Sequence, residues 1–257
     1  MTTLTNGTAP NPWFSNLRAK PDARMRLFCI PYGGGTATVF QQWPNFLPAD
    51  VEVWAVNLPG RGRRLMEPAF VSLVPLAEAL AQAMPPLSDK PFAFFGHSMG
   101  GLIEFETARQ LRKSGDRLPE RLFVSGCFAP HIPDPHPIHH LPEEEFVREV
   151  HRLGGMPAEV LQNQELLELV LPSLRADFTV TETYTVSQDE PPLSSSISVF
   201  GGWRDPLTTR ESLDAWRSHT AGQFSLRMLP GDHFFLISQQ HLLLNMISEE
   251  LRQSCGR

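Results

Sequence analysis

The pentapeptide Gly96-His97-Ser98-Met99-Gly100 is where residue type and spacing point most directly to chemistry. The stretch before it, Phe92-Ala-Phe-Phe95, reads as a buried strand, and Gly101-Leu-Ile-Glu-Phe105 opens an apolar-periodic helix. A serine at such a strand-to-helix turn is held in a strained backbone conformation that projects its Oγ above the strand ends, where a neighbouring base can make it a nucleophile. Side chains at Gly96 and Gly100 would collide with the adjoining strand and helix. The helix starting at Met99 aims its unpaired amides at the same point, so Met99 N–H is the natural first donor to an oxyanion.

A nucleophile of this kind needs an acid and then a histidine later in the chain. His233, in Leu229-Pro-Gly-Asp-His233-Phe-Phe-Leu, follows the last predicted strand and precedes the last helix, and is the expected base. The other late histidines, His219 and His241, fall in predicted helices. Asp205, in Gly201-Gly-Trp-Arg-Asp205-Pro, follows the penultimate strand and is the expected acid, holding the imidazole in its working tautomer. Asp232 competes, but adjacent residues rarely face each other well. The second oxyanion donor is expected from Pro31-Tyr32-Gly33-Gly34-Gly35, with Gly33 N–H first and Tyr32 and Gly34 as neighbours able to serve. No Gly-Lys-Ser/Thr follows these glycines, so they do not form a phosphate-binding P-loop.

The elements that must position these groups are legible in the pattern. Short apolar runs at Leu27–Ile30, Val51–Val56, Phe92–Phe95, Leu122–Ser125, Ile197–Phe200 and Phe224–Met228 alternate with helix-length segments. That alternation predicts an α/β fold, a mostly parallel sheet flanked by helices. Residues 1 to about 24 lack periodicity and read as a poorly ordered lead-in, leaving 25–257 as a single domain. Between about 130 and 192 the strands stop. A Pro- and His-rich loop (131–142), a helix at Glu143–Leu153 and one or two helices over Gln164–Thr185, interrupted near Pro172, form an insertion of the kind that builds a lid or substrate cap.

Bulk properties narrow the function. The chain has 257 residues, 41% hydrophobic and 19% charged, with a net charge of −6. An acidic chain is a poor nucleic-acid partner. No secretory signal and no membrane-length apolar run is visible, which makes a cytoplasmic location and no membrane association the expectation. Cys29, Cys127 and Cys255 are too widely spaced for a Cys-x-x-Cys pair and suit a reducing compartment. His131, His136, His139 and His140 sit in a proline-crowded loop without cysteine, a poor metal site; no metal and no resident cofactor are expected. The basic run Arg61-Gly-Arg63-Arg64 reads first as a solvated face, and functionally as a draw for an anionic substrate arm or acidic partner. Phe178 and the insertion's leucines (153, 161, 166, 167, 169, 171 and 174) could line an acyl channel, half or more of them serving only the insertion's own core.

Beyond the serine motif, the chain carries Pro31-Tyr-Gly-Gly-Gly35, Leu58-Pro-Gly-Arg-Gly62, Phe95-Gly-His-Ser-Met-Gly-Gly101, Leu153-Gly-Gly-Met-Pro157, Leu171-Pro-Ser-Leu-Arg-Ala-Asp-Phe178, Gly201-Gly-Trp-Arg-Asp205 and Pro230-Gly-Asp-His-Phe-Phe235. In these stretches, from about Leu27 to Leu251, it resembles the type II thioesterases of polyketide and nonribosomal peptide synthesis, members of the α/β-hydrolase fold. Gly33 departs from the alanine often found there, and Asp232 from a common glycine. The resemblance implies a helical lid and the hydrolysis of aberrant acyl groups from the phosphopantetheine thiol of acyl or peptidyl carrier domains. Together with the residues singled out above, the expected chemistry is a Ser98–His233–Asp205 acyl-enzyme route with Gly33 and Met99 as oxyanion donors; Tyr32, Phe178 and Arg61 are candidate substrate or lid contacts, and a monomer is the default expectation. A small-molecule esterase or lipase, a fatty-acyl chain-terminating thioesterase, or a binding protein retaining the fold would use the same framework.

Overall fold

The computed structural model describes residues 11–156 and 158–254. Seven strands form one sheet: β1 (Phe14–Asn16), β2 (Met25–Ile30), β3 (Val51–Val56), β4 (Phe92–His97), β5 (Arg121–Ser125), β6 (Ser196–Gly202) and β7 (Phe224–Leu229). Their order is β1-β3-β2-β4-β5-β6-β7, with β1 antiparallel to β3 and every other pairing parallel. The helices are α1 (Leu73–Ala83), α2 (Met99–Ser114), α3 (Glu143–Arg152), α4 (Ala158–Leu161), α5 (Gln164–Glu182), α6 (Arg210–Asp214), α7 (Phe235–Ser238) and α8 (Gln240–Ser254).

Alternation along the strands divides the core into two layers. Phe28, Ile30, Phe94, Leu122 and Val199 face α1 and α2, whose Leu76, Leu80, Leu102 and Ile103 cover them. Leu27, Cys29, Phe95, Phe123 and Phe200 face the other way, against Leu243, Leu244 and Ile247 of α8 and against Phe40 and Trp43. Burial on both faces is what near-continuous apolar strands require. Because β2 and β4 are neighbours, the loops leaving their C-terminal ends lie side by side, while those leaving β6 and β7 approach from the far side. Loops at the carboxyl ends of parallel strands are where such sheets bind ligands.

Two expectations are corrected. The lead-in is not wholly irregular: β1 pairs Phe14 with Val56 and Asn16 with Trp54, and Phe14 packs edge-on against Phe28. Three residues are too short for periodicity to reveal; the pairing edge of β3 supplies the order. Residues 1–10 lie outside the described residues, as does Cys255. The second correction is α5, which runs unbroken through Pro172. Pro172 deprives the Glu168 carbonyl of its donor, but both residues are exposed and water can serve that carbonyl.

Between β5 and β6, α3, α4 and α5 fold over a small core of their own, Ile138, Phe146, Val150, Met156, Leu171 and Leu174. Pro142 precedes α3, whose first turn holds Glu143, Glu144 and Glu145 and whose last holds His151 and Arg152, charges matched to the helix dipole at both ends.

Candidate active site

Ser98 is the one non-glycine residue with positive φ among the described residues (φ 53°, ψ −119°). It caps α2, donates its N–H to Ser125 O of β5 (2.8 Å) and accepts from Gly101 N–H (2.9 Å). The turn closes so tightly that a Cβ on Gly96 would lie 2.1 Å from Gly100 O, and one on Gly100 would lie 2.4 Å from Ile30 O of the neighbouring strand. No side chain fits at either place, so the two glycines are what allow the helix to start directly beneath the serine.

His233 leaves the turn after β7, and its Nδ1 lies 2.9 Å from Asp205 Oδ2. The two loops that carry this pair are stitched together: Trp203 N–H donates to Leu229 O and Arg204 N–H to Gly231 O. Asp205 is itself anchored, Oδ1 accepting Leu207 N–H (2.8 Å) and Oδ2 the Thr208 hydroxyl (2.9 Å). Its side chain is fully buried behind the imidazole. Asp232 turns outward instead and accepts Phe234 N–H in a local turn, so it does not meet the ring of its neighbour.

A cavity of about 430 Å³ opens over these groups. Ser98, Met99, Tyr32, Gly33 and His233 line its floor, and Phe178 and Leu153 of the insertion line its roof. Met99 N–H sits in the first turn of α2, where no intrahelical acceptor exists. Gly33 N–H has no acceptor among the described residues, whereas Gly34 N–H is taken by Asp177 Oδ2 at 2.7 Å. Of the three glycine-loop candidates, Gly34 is therefore occupied. Tyr32 packs its ring edge-on against His97 and Phe234, a wall of the site, and burial pushes its phenol upward from the ordinary value.

Arg61 contacts the insertion, as expected for a lid candidate, but not as a solvated charge. With Arg64 it is buried rather than solvated, and its guanidinium forks onto the carboxylate of Asp177 in α5. Arg64 binds Glu67 and stacks on Trp13. Both charges are spent inside the protein, so of this cluster's arginines Arg63 alone meets solvent. The helical leucines also divide: Leu171 and Leu174 are buried in the insertion's own core, Leu161 and Leu167 pack against it, and Leu166 and Leu169 are exposed.

The sequence reading passed over two residues here. His97 is completely buried beneath the site, with Nδ1 2.9 Å from Ser125 Oγ and its ring 4.9 Å from that of His233. Burial holds its pKa well below the ordinary histidine value, so it is neutral and places no positive charge against His233. Asp177 is the other, and it had a signal: it lies three residues after Leu174 and three before Val180, a charge on the buried stripe of an amphipathic helix. His131, His136, His139 and His140 do not converge. His139 bonds Glu182, His131 bonds His219, and among the described residues no group of three or more potential metal ligands is assembled.

Comparison with known proteins places this geometry in a context. The family model described as "Thioesterase domain" matches residues 25–251. The chain is 44% identical to the gramicidin S biosynthesis protein GrsT of Aneurinibacillus migulanus over 94% of each chain. Among solved structures it resembles RedJ, a thioesterase from the prodiginine pathway of Streptomyces coelicolor (TM-score 0.85, 38% identity, 90% of this chain and 92% of that one). It also resembles YbtT, a type II thioesterase from the yersiniabactin NRPS/PKS pathway (TM-score 0.86, 32% identity, 94% of this chain and 99% of that one).

Proposed function

The chain belongs to the thioesterase family, and from that premise we propose that it is a stand-alone editing enzyme of polyketide or nonribosomal peptide synthesis, hydrolysing aberrant acyl groups from the phosphopantetheine thiol of carrier domains. The observation that carries the reading is the buried His233–Asp205 contact of 2.9 Å at the rim of a cavity that Ser98, Met99 and Gly33 also line. In this mechanism Asp205 accepts a hydrogen bond from His233 Nδ1–H, which keeps the proton on Nδ1 and leaves the Nε2 lone pair free for the Ser98 hydroxyl. Oγ attacks the thioester carbonyl as its proton passes to His233, and the tetrahedral oxyanion forms against Met99 N–H and Gly33 N–H. Collapse expels the pantetheine thiol, protonated by His233, and leaves an acyl-Ser98 ester. His233 then takes a proton from water as the oxygen attacks the ester carbonyl; collapse of the second tetrahedral intermediate expels Ser98 Oγ, which takes that proton back from His233, and the acid is released.

Reactants are protein groups, water and a substrate that brings its own phosphopantetheine. The insertion serves as the lid, with Phe178 and Leu153 setting the depth available to the acyl chain. Among the described residues no helix is long and apolar enough to cross a membrane. A monomer acting on a mobile carrier domain in the cytoplasm fits this chemistry.

Ser98→Ala tests the assignment. Purified enzyme and variant are incubated with carrier domain loaded with acetyl, aminoacyl or longer acyl units, and the carrier is weighed intact by mass spectrometry. Unloading by the wild type, no unloading by the variant and an unchanged melting temperature are expected. Retained unloading by Ser98→Ala refutes the mechanism; turnover of simple esters without any unloading refutes the substrate class.

A further inference from the structure

Gly33 presents a geometric problem. It is proposed to aim an amide at the oxyanion, yet a glycine has no side chain with which to hold its backbone in one orientation. Of the two peptide units flanking it, one is pinned within the turn and the other from outside. The Tyr32–Gly33 unit is held by its carbonyl, which accepts Gly35 N–H at 2.9 Å. In a planar trans peptide the N–H points opposite to that carbonyl, leaving Gly33 N–H directed away from the turn. The Gly33–Gly34 unit is held by its N–H, which donates to Asp177 Oδ2 at 2.7 Å. That acceptor comes from α5, 143 residues further along the chain.

Asp177 is placed with care for a group 4% exposed. Arg61, 8% exposed, donates Nη1 to Oδ2 and Nη2 to Oδ1, a fork that fixes the carboxylate plane as well as its charge. The carboxylate stem also lies against the turn: a Cβ on Gly33 would sit 3.4 Å from Asp177 Cβ, and one on Gly34 would sit 3.0 Å from Leu174 Cδ1. A bare carboxylate here would oppose the negative charge that develops on the substrate oxygen nearby. The guanidinium cancels it.

We propose that Arg61 and Asp177 are positioning residues that clamp the Gly33–Gly34 peptide, so that one half of the oxyanion hole is set by the seating of the helical insertion on the core. The two motifs involved, Pro59-Gly-Arg61 and Leu174-Arg-Ala-Asp177, are thereby one device split across the sequence. The inference rests on the thioesterase reading with Gly33 as oxyanion donor. It makes specific demands on Asp177→Asn, which retains an oxygen for Gly34 N–H but loses the charge and half the fork.

The experiment compares two ligands and turnover. An acyl trifluoromethyl ketone analogue of pantetheine adds to Ser98 and forms the oxyanion; the matching thioether, without a carbonyl, occupies the site without forming it. Asp177→Asn is expected to lower kcat about 10- to 100-fold, as a displaced oxyanion donor does. The ketone's affinity should fall by the same factor, with KM and thioether affinity within about threefold of wild type. Arg61→Gln, which leaves the carboxylate uncompensated, is expected to lose at least as much, and Arg61→Lys to recover part of it. Equal weakening of both ligands, or an unchanged kcat, overturns the clamp in favour of simple packing. If Asp177→Asn does not fold, Arg61→Lys is judged by the same pair of affinities. Failure of the wild type itself to hydrolyse acyl-pantetheine or to bind the ketone would condemn the thioesterase reading instead, before any variant is measured.

Discussion

Replacing Asp205 by Asn probes the proposed triad at its most buried member. The carboxylate oxygens have distinct duties: Oδ1 accepts the fixed backbone N–H of Leu207, and Oδ2 accepts the Thr208 hydroxyl and His233 Nδ1–H. An ionised carboxylate carries no proton, so the shared one must sit on Nδ1, which leaves Nε2 free to act as the base. Asparagine has a single oxygen. The Leu207 N–H cannot rotate and claims it, whereas the Thr208 hydroxyl can turn to accept from an amide. The side-chain NH₂ then faces His233 and donates to Nδ1, which drives the ring proton to Nε2, where it blocks transfer from Ser98. The imidazolium formed during attack also loses its countercharge. The analogous substitution in serine proteases lowers kcat by about 10⁴, equivalent to about 5.4 kcal/mol in the barrier. Thiol release from acyl-pantetheine, followed with a chromogenic disulfide, measures kcat, and a thermal melt verifies folding. Asp232→Asn is the control: the residue is exposed and serves one local turn, so its kcat is expected to stay within about twofold of wild type, as for ordinary surface substitutions. Asp205→Asn remaining within tenfold of wild type, or Asp232→Asn losing more than Asp205→Asn, refutes the assignment.

Two further predictions concern stability. Glu104, wholly buried on α2 with neither carboxylate oxygen hydrogen-bonded among the described residues, is pushed by burial well above the ordinary carboxylate value. The folded state therefore keeps a proton that the unfolded state releases, and stability is full below the unfolded pKa and falls as pH rises through the interval up to the folded one. Relative to wild type, Glu104→Gln should gain stability as pH rises above the unfolded carboxylate value, with a slope approaching about 1.4 kcal/mol per pH unit and no such slope below pH 4; stabilities of the two proteins that differ by the same amount at every pH would contradict it. Gly96→Ala places a methyl 2.1 Å from a backbone oxygen that cannot yield without moving the serine turn. It should cost at least about 3 kcal/mol, or roughly 6–12 °C in melting temperature, together with fluorophosphonate labelling of Ser98, and a variant that melts and labels like wild type would refute the steric argument.

Local pattern carried much of the architecture because both periodicities are physical consequences of burial. Each of the six predicted strands is present, and Val51–Val56 has the same bounds as β3. The serine turn was legible because the tight strand-to-helix reversal is local: Gly96 is demanded by Gly100 O four residues on, although Gly100 is demanded by Ile30 O of the neighbouring strand. The first strand was not: Phe14–Asn16 is too short to show a period, and it is ordered by the edge of β3. Pro172 read as a break because the sequence cannot tell an exposed helix face, where water replaces the lost hydrogen bond, from a buried one.

What the sequence by itself determined is the set of candidate reactive groups and the side of the sheet on which they emerge, since the proposed nucleophile, acid and base each follow a strand, and parallel strands deliver their loops to one edge. What only the tertiary structure decided is how charge is paired across long separations. Arg61 looked like a solvated cation beside Arg63 and Arg64, and only the docking of α5 reveals that its partner is Asp177. Of the three glycine-loop amides, only that contact distinguishes Gly34, whose N–H is occupied, from Gly33, which lines the cavity and whose N–H has no acceptor among the described residues. Periodicity reports burial one residue at a time; which buried charges meet depends on loops closing over more than a hundred residues, and no local pattern encodes that.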